Sequence, residues 1–398
     1  MHHLKRGALA LAVAALSHAA MAQSAPQYTL VDLGPTSTDP SIFGVQANAI
    51  SAAGVVVGRT LSGCGSNFCS TADVWSNGQM TALPDPSGTG YAIATGVANA
   101  NLVAGTSYVG FLSSPKPVAW VNGQAEQLAL SAAAGGVGTA NGINASGVVV
   151  GSINAGSSEQ AQIWLANGTA ISVPTAASGF FNSGGPAMYS ATAINDAGIV
   201  IGAGTDPNNQ ARDAGLMYNM STGITTQIAL PNVAGVNGTL PMGISSNGLI
   251  VGTASMNGVS QGSFLWSAAT GSVMLPSIAG YGNQIARGVN SSGWVVGSTS
   301  NSFSNGFLYE GGNIFLLSSL ITPAELAAGW DFSNNTFTSA MGISDNGTIV
   351  GSADFNGVVH AYELVLTSPV PEPGSCALLF AGLAVIGGVA RRRSKHLR

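Results

Sequence analysis

The chain has 398 residues, 46% hydrophobic and only 7% charged, with a formal net charge of −5. An average soluble protein is roughly a quarter charged, and a disordered chain is rich in charge and poor in apolar side chains, so this composition excludes simple disorder. It also excludes a basic nucleic-acid binder, which needs clustered Lys and Arg to release counterions, and its 55 glycines point to tight turns in place of long helices.

The chain opens with Lys5-Arg6, an apolar run over residues 7–16 and then Ala20-Met21-Ala22. A charged head, a short apolar stretch and a small-residue exit describe a secretory signal peptide over residues 1–22, with Ala20 and Ala22 framing the signal peptidase site. Ten apolar residues are too few to cross a hydrocarbon core of ~30 Å. The next segment, Tyr28-Thr29-Leu30-Val31-Asp32-Leu33, has the character of a β-strand. Cys64 and Cys69 follow as the only cysteine pair of the body, since Cys376 lies in the tail. In an oxidising compartment so short a loop predicts a disulfide, with two free thiols as the alternative.

From here the sequence repeats itself. Ala49-Ile50-Ser51-Ala52-Ala53-Gly54-Val55-Val56-Val57-Gly58 returns as Gly142-Ile143-Asn144-Ala145-Ser146-Gly147-Val148-Val149-Val150-Gly151, and further copies close at Gly105, Gly202, Gly252, Gly297 and Gly351. Ser or Asn three residues before an inner glycine is a type I turn signature. An apolar residue before the turn and a β-branched run after it make the phrase a β-hairpin. Only the copy ending at Gly105 lacks the inner glycine; it has Asn101, the next-best residue for a left-handed backbone.

A second phrase follows each closing glycine and carries an aromatic residue: Trp75, Trp120, Trp164, Tyr218, Trp266, Tyr309 and Tyr362. Turn pairs such as Asn77-Gly78, Asn122-Gly123 and Asn167-Gly168 come next, and then a fourth short apolar strand. Four strands per repeat at this period predict an all-β fold, a seven-bladed β-propeller of four-stranded blades over residues 23–367. The seventh repeat stops at Leu366 before a fourth strand of its own, so the strand at Tyr28 is expected to complete it and close the ring. An open β-solenoid is the structural alternative. The glycine hairpin phrase together with His360-Ala361-Tyr362 resembles the extracellular HAF-repeat family, which implies an exported repeat protein; the other copies keep only the apolar-aromatic pattern.

Thr322-Pro323-Ala324-Glu325-Leu326-Ala327-Ala328-Gly329 breaks the rhythm, with Thr as N-cap, Pro at the first turn and Gly at the stop. It predicts a short helix before the last repeat, a loop filler or a lid over one mouth. Beyond it, residues 368–398 hold Pro371-Glu372-Pro373, an apolar stretch over 374–390 and Arg391-Arg392-Arg393. Seventeen residues at 1.5 Å each reach about 25 Å, the lower limit for a membrane-spanning helix, and the basic cluster would stay cytoplasmic. This tail resembles a PEP-CTERM sorting signal, which implies recognition at Pro371, Glu372 and Pro373 by a membrane exosortase and transfer or release of the body at the cell surface; a plain single-pass tail anchor is the alternative.

Between Gln23 and Pro373 only Arg59, Lys116, Arg212 and Arg287 stand against all 16 acidic residues, a net −12. An acidic polymer is repelled at long range by such a body. Chemistry is sparse. His360 is the one histidine left after processing and is expected to be a packing residue. Asp196 and Asp345 share one turn position and read as surface turn residues, while Asp206, Asp213, Asp331 and Asp354 lie in loops at spacings that match no calcium motif. No cofactor, catalytic residue or metal ligand is assigned. The expected function is a non-catalytic, exported surface or matrix protein that binds exopolysaccharide or surface proteins, with signal peptidase and exosortase as processing partners. The alternative is an extracellular polysaccharide hydrolase or lyase using a pair of loop carboxylates.

Overall fold

The ten-residue phrase folds as a hairpin closed by its own polar residue. In this computed structural model, Gly54 N donates to Ser51 O at 3.0 Å and Ser51 N to Val55 O at 2.9 Å, and the same pair of bonds recurs at Asn144, Asn195, Ser245, Asn290 and Ser344. The inner glycines Gly54, Gly147, Gly198, Gly248, Gly293 and Gly347 take φ between +73° and +88°, the left-handed region that a side chain resists. The described residues are 25–35, 39–65, 67–110, 113–130, 136–155, 158–174, 187–206, 209–299, 305–332 and 339–368. The expected signal peptide with Ala20 and Ala22, and the tail with Pro371, Glu372, Pro373, Arg391, Arg392 and Arg393 and the expected span 374–390, lie outside them.

Asn101 corrects the expectation placed on it. It does not adopt a positive φ; Asn99 pairs directly with Leu102 across a two-residue turn, so this hairpin is tighter than its six relatives and needs no left-handed residue there. The Asn-Gly pairs also divide. Asn77-Gly78 and Asn122-Gly123 have positive φ at both residues, the type I′ geometry, whereas at Asn167-Gly168 only the glycine is left-handed.

Residues Tyr28–Leu366 form one compact unit. Its opening strand is β1 (Gln27–Gly34). Then come β2 (Ile42–Ile50), β3 (Val56–Cys64), β4 (Asn67–Ser76) and β5 (Gln79–Ala82), paired in that order. Five separate four-stranded sheets follow: β6 (Ala92–Asn99) to β9 (Gln124–Gln127), β10 (Gly138–Ile143) to β13 (Ala170–Ser172), β14 (Met188–Ile194) to β17 (Ile224–Gln227), β18 (Gly238–Ile244) to β21 (Gly271–Met274), and β22 (Gln284–Val289) to β25 (Asn313–Leu316). The last group is β26 (Trp330–Asp331), β27 (Ser339–Ile343), β28 (Ile349–Phe355) and β29 (Val358–Ser368). Here β28 pairs with β27, β26 and β29, β1 pairs with β29, and one parallel pair, Gly44 with Val359, joins this group to β2 as a nine-stranded sheet. Among the described residues no sheet closes on itself.

The hydrophobic core lies between neighbouring sheets. Val55, Val57 and Val74 of one pack against Ala92, Val103 and Trp120 of the next. The first strands β2, β6, β10, β14, β18, β22 and β27 touch one another in chain order, and β27 touches β2.

In the first three repeats the repeated aromatic residue ties its sheet to the chain that enters it. Trp120 Nε1 donates to Pro84 O at 2.8 Å, Trp164 Nε1 to Ala129 O at 2.7 Å and Trp75 Nε1 to Leu33 O at 2.9 Å. Leu33 at the end of β1 therefore stands to Trp75 as the residues after β5 and β9 stand to the next two tryptophans. The N-terminal strand does the work of a fourth strand in the last group, and Leu33 shares a buried cluster with Val45 and Trp75 on one side and Val350 and Ala361 on the other. The inserted helix α1 (Pro323–Ala327) serves this strand. Thr322 and Glu325 form a reciprocal capping box, and Glu325 Oε1 also accepts from Leu30 N at 2.9 Å. The insertion clamps the backbone of β1.

Candidate functional site

Every first strand carries a β-bulge at the same place. The register slips between Ala47 and Ala49, Ala94 and Gly96, Ala140 and Gly142, Ala191 and Ala193, Pro241 and Gly243, Ala286 and Gly288, and Ala340 and Gly342. The skipped residues are Asn48, Thr95, Asn141, Thr192, Met242, Arg287 and Met341. All seven line one cavity of about 400 Å³, with Arg59 and Ile93. A bulge re-aims one side chain that would otherwise alternate into a sheet face, and here it aims one from each repeat at a common space.

Local sequence explains the bulge. The residues flanking the bulged position are alanine, glycine or, once, proline, which lets the first strands approach closely: a Cβ on Gly96 would lie 2.8 Å from the Cα of Gly142. The distorted carbonyl before the bulge presses on the closing glycine of the phrase. A Cβ there would sit 1.8 Å from Gln46 O at Gly58, 2.0 Å from Ile93 O at Gly105 and 2.0 Å from Ile285 O at Gly297. That contact, and not a turn, is why the phrase ends in glycine.

The cavity wall has two halves. Asn48 Nδ2 donates to Ala94 O at 2.8 Å, Thr95 Oγ1 to Ala140 O at 2.7 Å, Asn141 Nδ2 to Ala191 O at 2.8 Å and Thr192 Oγ1 to Pro241 O at 3.0 Å. Each polar bulge residue thus latches its strand to the next. Met242, Arg287 and Met341 complete the circuit with two thioethers and a guanidinium. Arg59 reaches the cavity from β3, steered by a 2.8 Å bond from its Nε to Gln46 Oε1. Nε of Arg287 is buried with no hydrogen-bond partner among the described residues, and burial pushes its guanidinium below the ordinary pKa.

The turn acids do more than cap a surface. Asp196 Oδ1 accepts from Ala145 N of the preceding repeat at 2.8 Å, and Asp345 accepts from Ser291 N at 2.8 Å and Ser246 Oγ at 3.1 Å. Burial alone would raise the Asp345 pKa, but the bonds from Ser291 and Ser246 hold it below the usual value. The reading of these two as simple turn residues therefore misses their role as staples between repeats.

His360 is buried beside Trp330 and Phe355, with Nδ1 3.0 Å from Asp32 Oδ1. Its partner lies on β1, which among the described residues pairs with β29 and with no other strand, and this explains why the histidine is not repeated. Asp331 and Asp354 oppose each other across β26 and β28, while Asp206 ends β15 (Ile199–Asp206) opposite Asn209 and Asp213 lies within β16 (Asn209–Asn219) opposite Thr205. Among the described residues no group of three or more His, Cys, Asp or Glu side chains could hold a metal ion. Cys64 and Cys69 are bonded, with Cα atoms 5.8 Å apart, across the end of the β3–β4 hairpin. The seven cavity residues escaped the sequence reading, although they share a signal: each precedes the ten-residue phrase, between small residues, and varies where its neighbours repeat.

Residues 369–394 match the model of the PEP-CTERM protein-sorting motif. The protein is thus exported and passes through a membrane-anchored sorting step to the surface, processed by exosortase-type machinery. Among the described residues no helix is long and apolar enough to cross a membrane. No curated protein matches the chain. Among solved structures it is similar to the extracellular domain of a hybrid two-component system from B. thetaiotaomicron, at 10% identity and TM-score 0.48, over 85% of this chain and 40% of that one. It therefore spans about two fifths of that relative's length. Similarity extends to TolB from Acinetobacter baumannii, at 11% identity and TM-score 0.41 over 78% of this chain and 79% of that one. The WD40 β-propeller domain of Doa1 matches at 9% identity and TM-score 0.43, over 80% of this chain and 93% of that one.

Proposed function

We propose that residues 28–366 form a closed, seven-bladed β-propeller that serves at the cell surface as a non-catalytic binding module for glycans or proteins. The observation that carries this reading is the cavity to which the bulge residue of every first strand contributes one side chain. Contact between β27 and β2, and the Leu33–Trp75 bond, support a closed ring over an open solenoid. The resemblance to HAF-repeat proteins agrees with an exported repeat architecture. A wall held by side chain-to-carbonyl latches is preorganised, which favours binding because little ordering remains to be done.

A binding array of glycans and surface proteins, run on the full chain in detergent beside a hydrolase and lyase screen, tests the reading. Saturable binding without turnover is expected. Turnover that disappears in Asp331→Asn would favour the hydrolase alternative, for which the cross-strand pair Asp331–Asp354 is the available carboxylate pair. Processing is proposed to fall near Pro371-Glu372-Pro373, so mass spectrometry of surface material should yield no peptide beyond Pro373; recovery of Arg391-Arg392-Arg393 there would contradict it.

A further inference from the structure

We propose that the central cavity is a receptor for a small carboxylate ligand of monosaccharide size, a sugar acid, held by Arg287 together with Arg59. This rests on the binding-module reading and names its ligand class. The span from Gln23 to Pro373 carries a net −12 and keeps four basic residues, yet two of those four line one cavity. None of the described lining residues is acidic. The cavity is a cationic site inside an acidic protein.

Arg287 is the unusual member. Its buried Nε has no partner among the described residues, and a charged donor left unpaired out of water is costly. The fold does not require arginine there, because the equivalent bulge positions on the two flanking strands carry Met242 and Met341. Only Nε is buried without a partner, so this guanidinium, which lines the cavity together with two thioethers, meets an anion there through its terminal nitrogens.

The chemistry narrows the anion. A guanidinium fork matches a carboxylate with two parallel bonds, and the apolar methionine walls lower the local dielectric and strengthen them. Opposite, the Asn48 and Asn141 amides each spend one donor on a neighbouring carbonyl, which leaves a second N–H and an acceptor oxygen for hydroxyl groups. About 400 Å³ lies within the range of small-ligand pockets, roughly 300–1,000 Å³. The acidic exterior selects further. A polyanionic chain keeps its charge outside and is repelled, whereas a single carboxylate enters a cavity that both arginines line.

Isothermal titration of the full chain with sodium glucuronate tests this, with glucose as the neutral twin and sodium sulfate as an anion without a carboxylate. Glucuronate should bind, and glucose and sulfate should bind about tenfold or more weakly. Arg287→Met should lose about ten- to a hundredfold in glucuronate affinity while keeping the parent's melting temperature, and Arg287→Lys, with the charge but not the fork, should fall between. The proposal is overturned by absent glucuronate binding in folded wild-type protein, by equal binding in Arg287→Met, or by equal binding of glucose or sulfate. Binding of neutral glycans or proteins with no glucuronate binding would remove this inference and leave the binding module standing; absence of all glycan and protein binding would remove both.

Discussion

The two halves of the cavity wall share one backbone and use it differently. From Asn48 to Thr192 the bulged side chain closes back on the next strand's carbonyl; from Met242 to Met341 it makes no such bond and faces the cavity with sulfur and guanidinium. The bulge is therefore the structural constant, and the residue placed on it decides whether a repeat spends that position on latching neighbouring strands or on presenting chemistry. Variation at one position of a repeated phrase marks where the repeats divide labour.

If the bulge is common to both halves, damaging it should cost the same in each. Gly105→Ala in the latched half and Gly297→Ala in the other both put a Cβ 2.0 Å from a backbone carbonyl. Each should lose about 3 kcal/mol or more, the upper end of overpacking penalties, when measured by denaturant unfolding. A loss in one half only would break the equivalence.

The latched half also buries an acid. Asp73 is 1% exposed and accepts from Thr60 Oγ1 at 2.7 Å; burial raises its pKa from 3.8 to about 6, against the lowering effect of that bond. A folded-state pKa above the unfolded value means that stability is full below pH ~4 and falls as the pH rises through about 6. Asp73→Asn, which cannot ionise, should gain up to about 3 kcal/mol over the parent at pH 8 and nothing at pH 3.5. A pH-independent difference in unfolding free energy would refute the assignment.

Removing a latch should cost less. Asn141→Ala strands the Ala191 carbonyl and should lose about 1–2 kcal/mol, more than Met242→Leu, which keeps volume and breaks no hydrogen bond and should stay under about 1 kcal/mol. Equal effects would erase the distinction between the halves. The smallest shift is expected at Arg287→Met: it relieves a buried charge, so its melting temperature should match or slightly exceed that of the parent.

Much of this architecture was legible in the sequence because it rests on local chemistry. The inner glycines declare the hairpin turns, the aromatic phrase declares the third strand, and the unpaired seventh repeat declares the need for the strand at Tyr28, which does pair with β29. Asn101 misled because a two-residue turn from Asn99 to Leu102 satisfies the backbone without a left-handed residue. The site was hidden for a different reason. A bulge is a mismatch between two strands, and the long-range packing that turns seven mismatches toward one space leaves no periodic trace within a single repeat. Asp32 with His360, and Glu325 with Leu30 N, were likewise invisible, since each joins residues about 300 positions apart.

Closure is the claim on which the cavity depends, and β1 is its one removable part. Thermal unfolding of a chain lacking residues 28–34, beside the parent, tests it most directly. The deletion removes the Leu33 carbonyl from Trp75, the Leu30 amide from Glu325, Asp32 from His360 and the buried side chains of Tyr28 and Leu33. At roughly 1 kcal/mol per hydrogen bond and ~2 per buried side chain, the loss approaches the typical total stability of ~5–15 kcal/mol. The melting temperature should collapse or the chain should fail to fold as one cooperative unit. A truncated protein that melts like the parent would mean that the ring is not closed by this strand.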